Sequence, residues 1–92
     1  MNKEEFKRLK LNRYKLSGNC SGVYFLFDDD ELVYIGKGWN CFLRVAEHTR
    51  KDSDKIFTSW NYLCIDNKEK YSSLEKELIQ IYKPKYNKIY NN

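Results

Sequence analysis

Long apolar stretches are missing from this chain of 92 residues. The longest, Val23 to Phe27, is five residues, against the ~20 that a membrane-spanning helix needs. The opening residues, Met1-Asn2-Lys3-Glu4-Glu5, carry charge where a secretion signal would carry its apolar core, so no secreted precursor is expected. Histidine occurs once and cysteine three times, with no Cys-x-x-Cys pair, which leaves a structural zinc site without ligands. The cysteines, Cys20, Cys41 and Cys64, are odd in number and widely spaced. That argues against a disulfide framework and for a reducing, cytoplasmic setting. Proline also occurs once, at Pro84, and neither an internal repeat nor a low-complexity tract interrupts the chain. The length is that of one domain and excludes a multidomain enzyme.

What is abundant is aromatic and basic. Eight Tyr, five Phe and two Trp make up 16% of the residues, and a small domain depends on such large side chains for its core. Some of the tyrosines are candidates for chemistry rather than packing. The 17 Lys+Arg exceed the 13 Asp+Glu, and four of the acids are Asp28 to Glu31. Outside that stretch the balance is 17 basic against 9 acidic residues, or +8. A surface of that kind attracts phosphate backbones if the acidic stretch points away from the ligand. An ordinary solvated surface accounts for the charge equally well.

The pattern predicts a short helix over Asn2 to Leu11, capped by Asn2 and carrying Lys3, Lys7, Arg8 and Lys10, with Arg13 and Lys15 just beyond. Residues 1–17 read as a basic helical extension and residues 18–92 as the core domain, with the turn-rich Ser17-to-Gly22 stretch leading in. Gly22–Phe27 (GVYFLF) and Leu32–Ile35 (LVYI) read as strands of a hairpin around the polar Asp28-to-Glu31 turn. Asn40 caps a helix over Cys41 to Arg50, and Ile56 to Ile65 reads as a third strand. A helix over Tyr71 to Tyr82 carries Leu74, Leu78 and Ile81 on one stripe until Pro84 stops it, with Tyr86 to Tyr90 as an extended tail. The order α-β-β-α-β-α specifies a mixed α/β (α+β) domain, a small three-stranded antiparallel sheet flanked by helices.

Several polar residues have two readings each. A three-residue turn at Asp28–Asp30 places Tyr24 directly opposite Tyr34 on one face, with Val23, Phe25, Val33 and Ile35 on the other. The tyrosine pair is either a cross-strand packing device or part of a site on the wetter face. Arg44 and His48, four apart on a helix, share a side. They form either a solvated face or a phosphate clamp beside a proton acceptor. Ser72-Ser73-Leu74-Glu75 fits S-x-x-E, so Glu75 either closes a capping box or is free to bind a cation. Asn87 after Pro84 is either a turn residue or a site residue.

The order of these signals is more specific than any one of them. Gly22-Val23-Tyr24, Tyr34-Ile35-Gly36-Lys37, Arg44, His48, Leu74-Glu75 and Lys83-Pro84-Lys85-Tyr86-Asn87 together resemble the GIY-YIG nuclease family. The first signature reads GVY here and the second reads YIG unchanged. The resemblance runs from about Gly22 to Asn87 and leaves the segment before Ser17 unexplained. It implies a metal-dependent endonuclease hydrolysing DNA phosphodiester bonds. The family's catalytic positions fall on Tyr24, Tyr34, Arg44, His48, Glu75 and Asn87, its substrate-binding positions on Gly36 and Lys37, and its metal ligand on Glu75.

The residue types suit that chemistry. A lone carboxylate at Glu75 would hold one Mg²⁺ or Mn²⁺ that keeps several waters. Arg44 would neutralise the pentavalent phosphorus centre. One tyrosine would take the proton of the attacking water, directly or through His48. A free tyrosine has a pKa near 10, and Lys37 or the metal would stabilise its phenolate, which favours Tyr34, next to Lys37 in sequence. With no room for a targeting domain, the chain would recognise DNA weakly by itself, form a homodimer or work with a separate targeting partner. The rivals are an inactive nucleic-acid-binding module of the same fold and a structure-specific or RNA-directed nuclease.

Overall fold

The structure is a computed structural model that describes residues 21–50 and 53–87. The expected N-terminal helix, most of the stretch leading into the core and the tail beyond Asn87 lie outside the described residues. The described chain runs β1 (Gly22–Asp28), β2 (Glu31–Gly38), α1 (Cys41–Glu47), β3 (Ser59–Cys64) and α2 (Lys68–Tyr82). The three strands form one antiparallel sheet in the order β2-β1-β3. This is the expected fold class. It has the shape its composition calls for, because β1 is the central strand and all its residues but the last are buried, as a strand covered on both faces must be.

The β1–β2 hairpin differs from the expected register in an informative way. Its loop is two residues, Asp29 and Asp30, with Asp29 at φ 56°, a left-handed conformation that aspartate tolerates better than most residues. A two-residue loop pairs Asp28 with Glu31 and Phe27 with Leu32, which would send Tyr24 and Tyr34 to opposite faces. A bulge between Leu26 and Phe27 then sets Leu26 opposite Tyr34 and Tyr24 opposite Gly36. Val33 is the extra residue, and absorbing it restores the parity. The tyrosines therefore share a face, as expected, but lie diagonally rather than directly opposite. Val33 joins them instead of packing with Val23 and Phe25.

Neither face is wet. Val23, Phe25, Phe27, Leu32 and Ile35 pack against Tyr71, Leu78 and Ile79 of α2. Tyr24, Leu26 and Val33 pack against Cys41 and Val45 of α1 and Tyr62 of β3. Ile81, expected on the α2 stripe, is exposed; Ile79 takes its place. The helix α1 ends at Glu47 rather than Arg50, and Asn40 caps it as expected, accepting from Leu43 N at 3.1 Å. Among the cysteines, Cys41 is free and buried, whereas Cys64 is disulfide-bonded. A disulfide is thus present where the cysteine count and spacing argued against a disulfide framework. Gly22 at the start of β1 pairs with Cys64 at the end of β3, a neighbourhood that sequence separation hides.

Candidate active site

Both signature glycines are explained by what crosses them. Gly22 sits at φ +147°, and a Cβ there would overlap the carbonyl oxygen of Leu63 on β3. At Gly36 the space of a side chain is filled by the phenol end of Tyr24 from the neighbouring strand. Gly38, two residues on, faces the same side: the Cγ of Arg44 lies 3.0 Å from where a Cβ would stand. The end of β2 is thus a floor without side chains over which Tyr24 and Arg44 are laid.

Tyr24 is fully buried, and its hydroxyl lies 2.9 Å from Nε2 of His48. Arg44 lies near enough for its charge to act on the same phenol, and its Nη1 donates to Glu47 Oε1 at 2.8 Å. The ring of Tyr34, half-buried, stands 6.1 Å from the Tyr24 ring and 5.2 Å from His48. Arg44 and His48 do share a side of α1, and that side is turned to the tyrosines. Burial, reinforced by the charges of Lys55 and Arg44, holds His48 below the usual imidazole range, while Glu47 and Asp54 act the other way. Burial and Tyr34 drive the Tyr24 phenol well above its usual range, with Arg44 opposing. Both shifts favour the neutral forms of the pair, and the imidazole tautomer sets which of the two donates.

Glu75 lies on the other side of β2, where Ile35 and Lys37 face α2. Its capping-box reading fails, because α2 starts at Lys68, with Asn67 as the cap accepting from Lys70 N at 3.1 Å. Glu75 is in the interior of the helix, with its carboxylate 4.0 Å from Lys37 Nζ and its side chain 12% exposed. Burial raises its pKa and Lys37 lowers it, with a net upward direction. Lys37 also donates to the Ser72 hydroxyl at 3.2 Å. Its ammonium is accordingly the neighbour of Glu75, not of Tyr34, and the expectation that it steadies a Tyr34 phenolate is corrected.

Asn87 turns out to be a latch. Its Oδ1 accepts from Ile35 N at 2.9 Å and its Nδ2 donates to Ile35 O at 2.8 Å. Beside it, Tyr86 N donates to Val33 O at 3.0 Å. One side-chain amide thus pairs with the open edge of β2 as a neighbouring strand would, and it fixes the backbone in the middle of YIG. The residue that sequence reasoning missed is Lys55. Its Nζ stands 4.8 Å from the centroid of the Tyr34 ring and 3.2 Å from Asp54 Oδ1, with the side chain only 18% exposed. Ser53 Oγ accepts from its backbone N–H, and Tyr86 Oη accepts from that of Ile56. No sequence signal marks it, since it lies in a charged stretch like several others.

Among the described residues no three His, Cys, Asp or Glu side chains gather to hold a metal. A half-buried carboxylate with one distant cationic partner suits a hard cation that keeps most of its water, and does not suit zinc. The acidic hairpin turn lies at the opposite end of β2 from Gly36–Gly38. No helix among the described residues is long and apolar enough to cross a membrane.

No family model matches the chain. It is 35% identical over 82 residues to UvrABC system protein C of Mycoplasma capricolum, covering 80% of this chain and 14% of that protein. To UvrABC system protein C of Chlamydia abortus it is 35% identical over 83 residues, covering 79% of this chain and 14% of that protein. The chain therefore spans about one seventh of the length of these relatives. The fold matches the crystal structure of the GIY-YIG N-terminal endonuclease domain of UvrC from Thermotoga maritima, bound to its catalytic divalent cation, magnesium. The TM-score is 0.67 at 24% identity, covering 95% of this chain and 99% of that one. A point mutant of that domain matches with a TM-score of 0.66 at 22% identity, over 95% of this chain and 98% of the other. Both signatures lie on one sheet of that fold, and the chain resembles the GIY-YIG family in fold while its sequence is similar to the UvrC proteins over most of its length.

Proposed function

We propose that this chain is an endonuclease that hydrolyses DNA phosphodiester bonds with one Mg²⁺ or Mn²⁺ ion. The observation that carries the reading is the grouping of Arg44, Tyr24 and His48 over the glycine floor of β2, a cation beside a buried phenol that is hydrogen-bonded to an imidazole. Glu75 would hold the cation, which supplies charge neutralisation at the phosphate and the leaving oxygen.

The proton path follows from the bonding. A fully buried phenol with a raised pKa is a poor phenolate. It passes a proton well when an acceptor is already in place, and His48 Nε2 is that acceptor. Arg44 turns from Glu47 to the substrate phosphate, beside the Tyr24 oxygen. That oxygen takes the proton of the attacking water as its own moves to His48. Tyr24, not Tyr34, is the base on this reading, and Tyr34 orients the phosphate or the water. Gly36 keeps the floor open, Lys37 balances the charge beside Glu75, and Asn87 holds the strand. The relatives named UvrABC system protein C and the magnesium-bound UvrC domain support the assignment to DNA and to that metal.

Residues 18–92 make up the nuclease domain on this reading, and residues 1–17 add basic charge for DNA. The chain recognises DNA weakly by itself on this reading, and a second copy or a separate partner would sharpen target choice. The test is cleavage of supercoiled and linear DNA with Mg²⁺, with Mn²⁺ and with EDTA. Cutting with either metal and binding without cutting in EDTA is expected. A protein that binds DNA and cuts nothing with either metal is the inactive module instead.

A further inference from the structure

Twelve aromatic residues lie within the described chain, and Trp39 is the one placed mostly in water, at 66% exposure. It follows Gly38, the residue against which Arg44 is laid, and precedes Asn40, the cap of α1. Leu43, in the first turn beyond that cap, is also exposed, at 49%. An indole left in water in a chain that otherwise buries its rings forfeits a large hydrophobic gain. Its neighbours show what offsets that loss. Lys37, two residues before it, and Arg44, five after it, both reach into solvent. An exposed aromatic plate flanked along the chain by two solvent-reaching cations is the chemistry of a single-strand platform, in which backbone charge is met by cations and an unstacked base by a ring. A paired and stacked base presents no face to such a plate.

We propose that Trp39, just ahead of the exposed first turn of α1 that carries Leu43, is a stacking subsite for an unpaired nucleobase next to the cleaved phosphodiester. The enzyme accordingly prefers strands with a bulge, gap or single-stranded break in pairing over continuous duplex. The proposal rests on the nuclease reading above and adds its substrate class. Arg44 fixes the phosphate over Gly38, and the adjoining nucleotide reaches Trp39 one residue further along the same backbone. A fully paired duplex places only its backbone there, so Lys37 and Arg44 still engage it while the indole gains nothing. Sequence selectivity is not expected from this contact, since every base has a face to stack.

The test pairs cleavage with a binding signal. Single-turnover cutting with Mg²⁺ is measured for wild type, Trp39→Ala and Trp39→Phe on equal-length DNA carrying either no defect or one central unpaired base. Wild type should prefer the defect. Trp39→Ala should lose that preference by about 10-fold, and Trp39→Phe should keep most of it. Fluorescence of Trp39 in a Trp60→Phe background, in EDTA, should be quenched by the defect-bearing DNA and little changed by the continuous duplex. Equal preference in wild type and Trp39→Ala, or equal quenching by both DNAs, overturns the proposal. So does sedimentation in which wild type is a dimer and Trp39→Ala a monomer, because the patch is then a subunit interface. If wild type cuts nothing, the nuclease reading fails and the quenching comparison alone decides whether Trp39 takes an unpaired base. Melting temperatures of the three proteins should agree, since the indole is mostly solvated.

Discussion

The two faces of the sheet are equally dry and are built differently. Against α2, Val23, Phe25, Phe27 and Ile35 meet Leu78 and Ile79, and the polar pair Lys37–Glu75 appears only where β2 ends. Against α1, the buried residues include Tyr24 and Tyr62 beside Leu26, Val33 and Val45. A phenol ring supplies as much apolar surface as a phenylalanine, and its hydroxyl must find a partner once buried. In Tyr24 that requirement is met by His48, with the Arg44 charge close by, and both are groups a phosphodiester reaction would use. Burial therefore does not separate core from site on this face, because Tyr24 is both. On the α2 face the separation is clean, and a charge can be changed there without touching the packing.

The largest expected effect uses that clean separation. Glu75→Gln should bring cleavage to background while leaving the melting temperature unchanged or raised. The sign follows from the direction of the Glu75 shift. Its folded-state pKa lies above its unfolded value, chiefly through burial, so the native state holds the proton more tightly. Stability then falls as pH rises through that range, and at neutral pH the charged carboxylate costs stability that the amide does not. Leu78→Ala, on the same helix but in the core, should instead cost about 2–5 kcal/mol, with the folded fraction still cutting. Calorimetry and single-turnover rates on both variants check the contrast. A Glu75→Gln protein that melts early and still cuts would mean that the carboxylate is structural.

On the tyrosine face the two roles should not separate. Tyr24→Phe should cost about 10²-fold or more in rate, as for loss of a general base. It should also cost about 1 kcal/mol in stability, because it strips a buried hydrogen bond and leaves His48 Nε2 unpaired. Tyr34→Phe, whose hydroxyl belongs to a half-buried ring, should lose less of both. Equal melting temperatures together with a fully active Tyr24→Phe would sink the relay and return the base to Tyr34.

Much of this layout was legible in the sequence, and the misses have physical causes. The hairpin, the capping Asn40, the α2 helix and the shared side of Arg44 and His48 follow from local periodicity and turn chemistry, which the fold obeys. The face of Val33 does not, because parity counting breaks at a bulge and only the packing decides which strand absorbs the extra residue. Glu75 looked like a cap because S-x-x-E is a local pattern, while Asn67, one turn earlier, was the stronger competitor for the helix start. The neighbour of Tyr34 was misjudged for a related reason. Lys37 is three residues away in sequence but on the opposite face of its strand, and Lys55 is 21 away but folded over the ring. Asn87 carried a family position whose work, pinning both polar groups of Ile35, depends on a contact 52 residues long.

Lys55 offers the finest test of how the tyrosine face differs from its counterpart. A positive charge near an imidazole disfavours the imidazolium, and burial has already pushed His48 below its ordinary value of 6.5. The groups facing His48 are Tyr24 on β1, Tyr34 on β2, Arg44 and Glu47 on α1, and Asp54 and Lys55 before β3. Replacing Lys55 by Met removes one cation and leaves the others, so the His48 midpoint should rise toward its ordinary value. His48 is the only histidine in the chain, so its imidazole resonances can be followed by NMR without assignment. The acid limb of the cleavage profile should rise with the midpoint, because a protonated His48 cannot receive the Tyr24 proton. Acid stability should change in the opposite sense. The wild-type native state resists protonation and loses stability as pH falls through the ordinary imidazole range, and Lys55→Met should lose less there. Lys55→Arg, which keeps the charge over Tyr34, should restore both wild-type curves. If Lys55→Met leaves the midpoint and the acid limb in place, the lysine only packs against Tyr34, and Arg44 and burial alone keep His48 neutral.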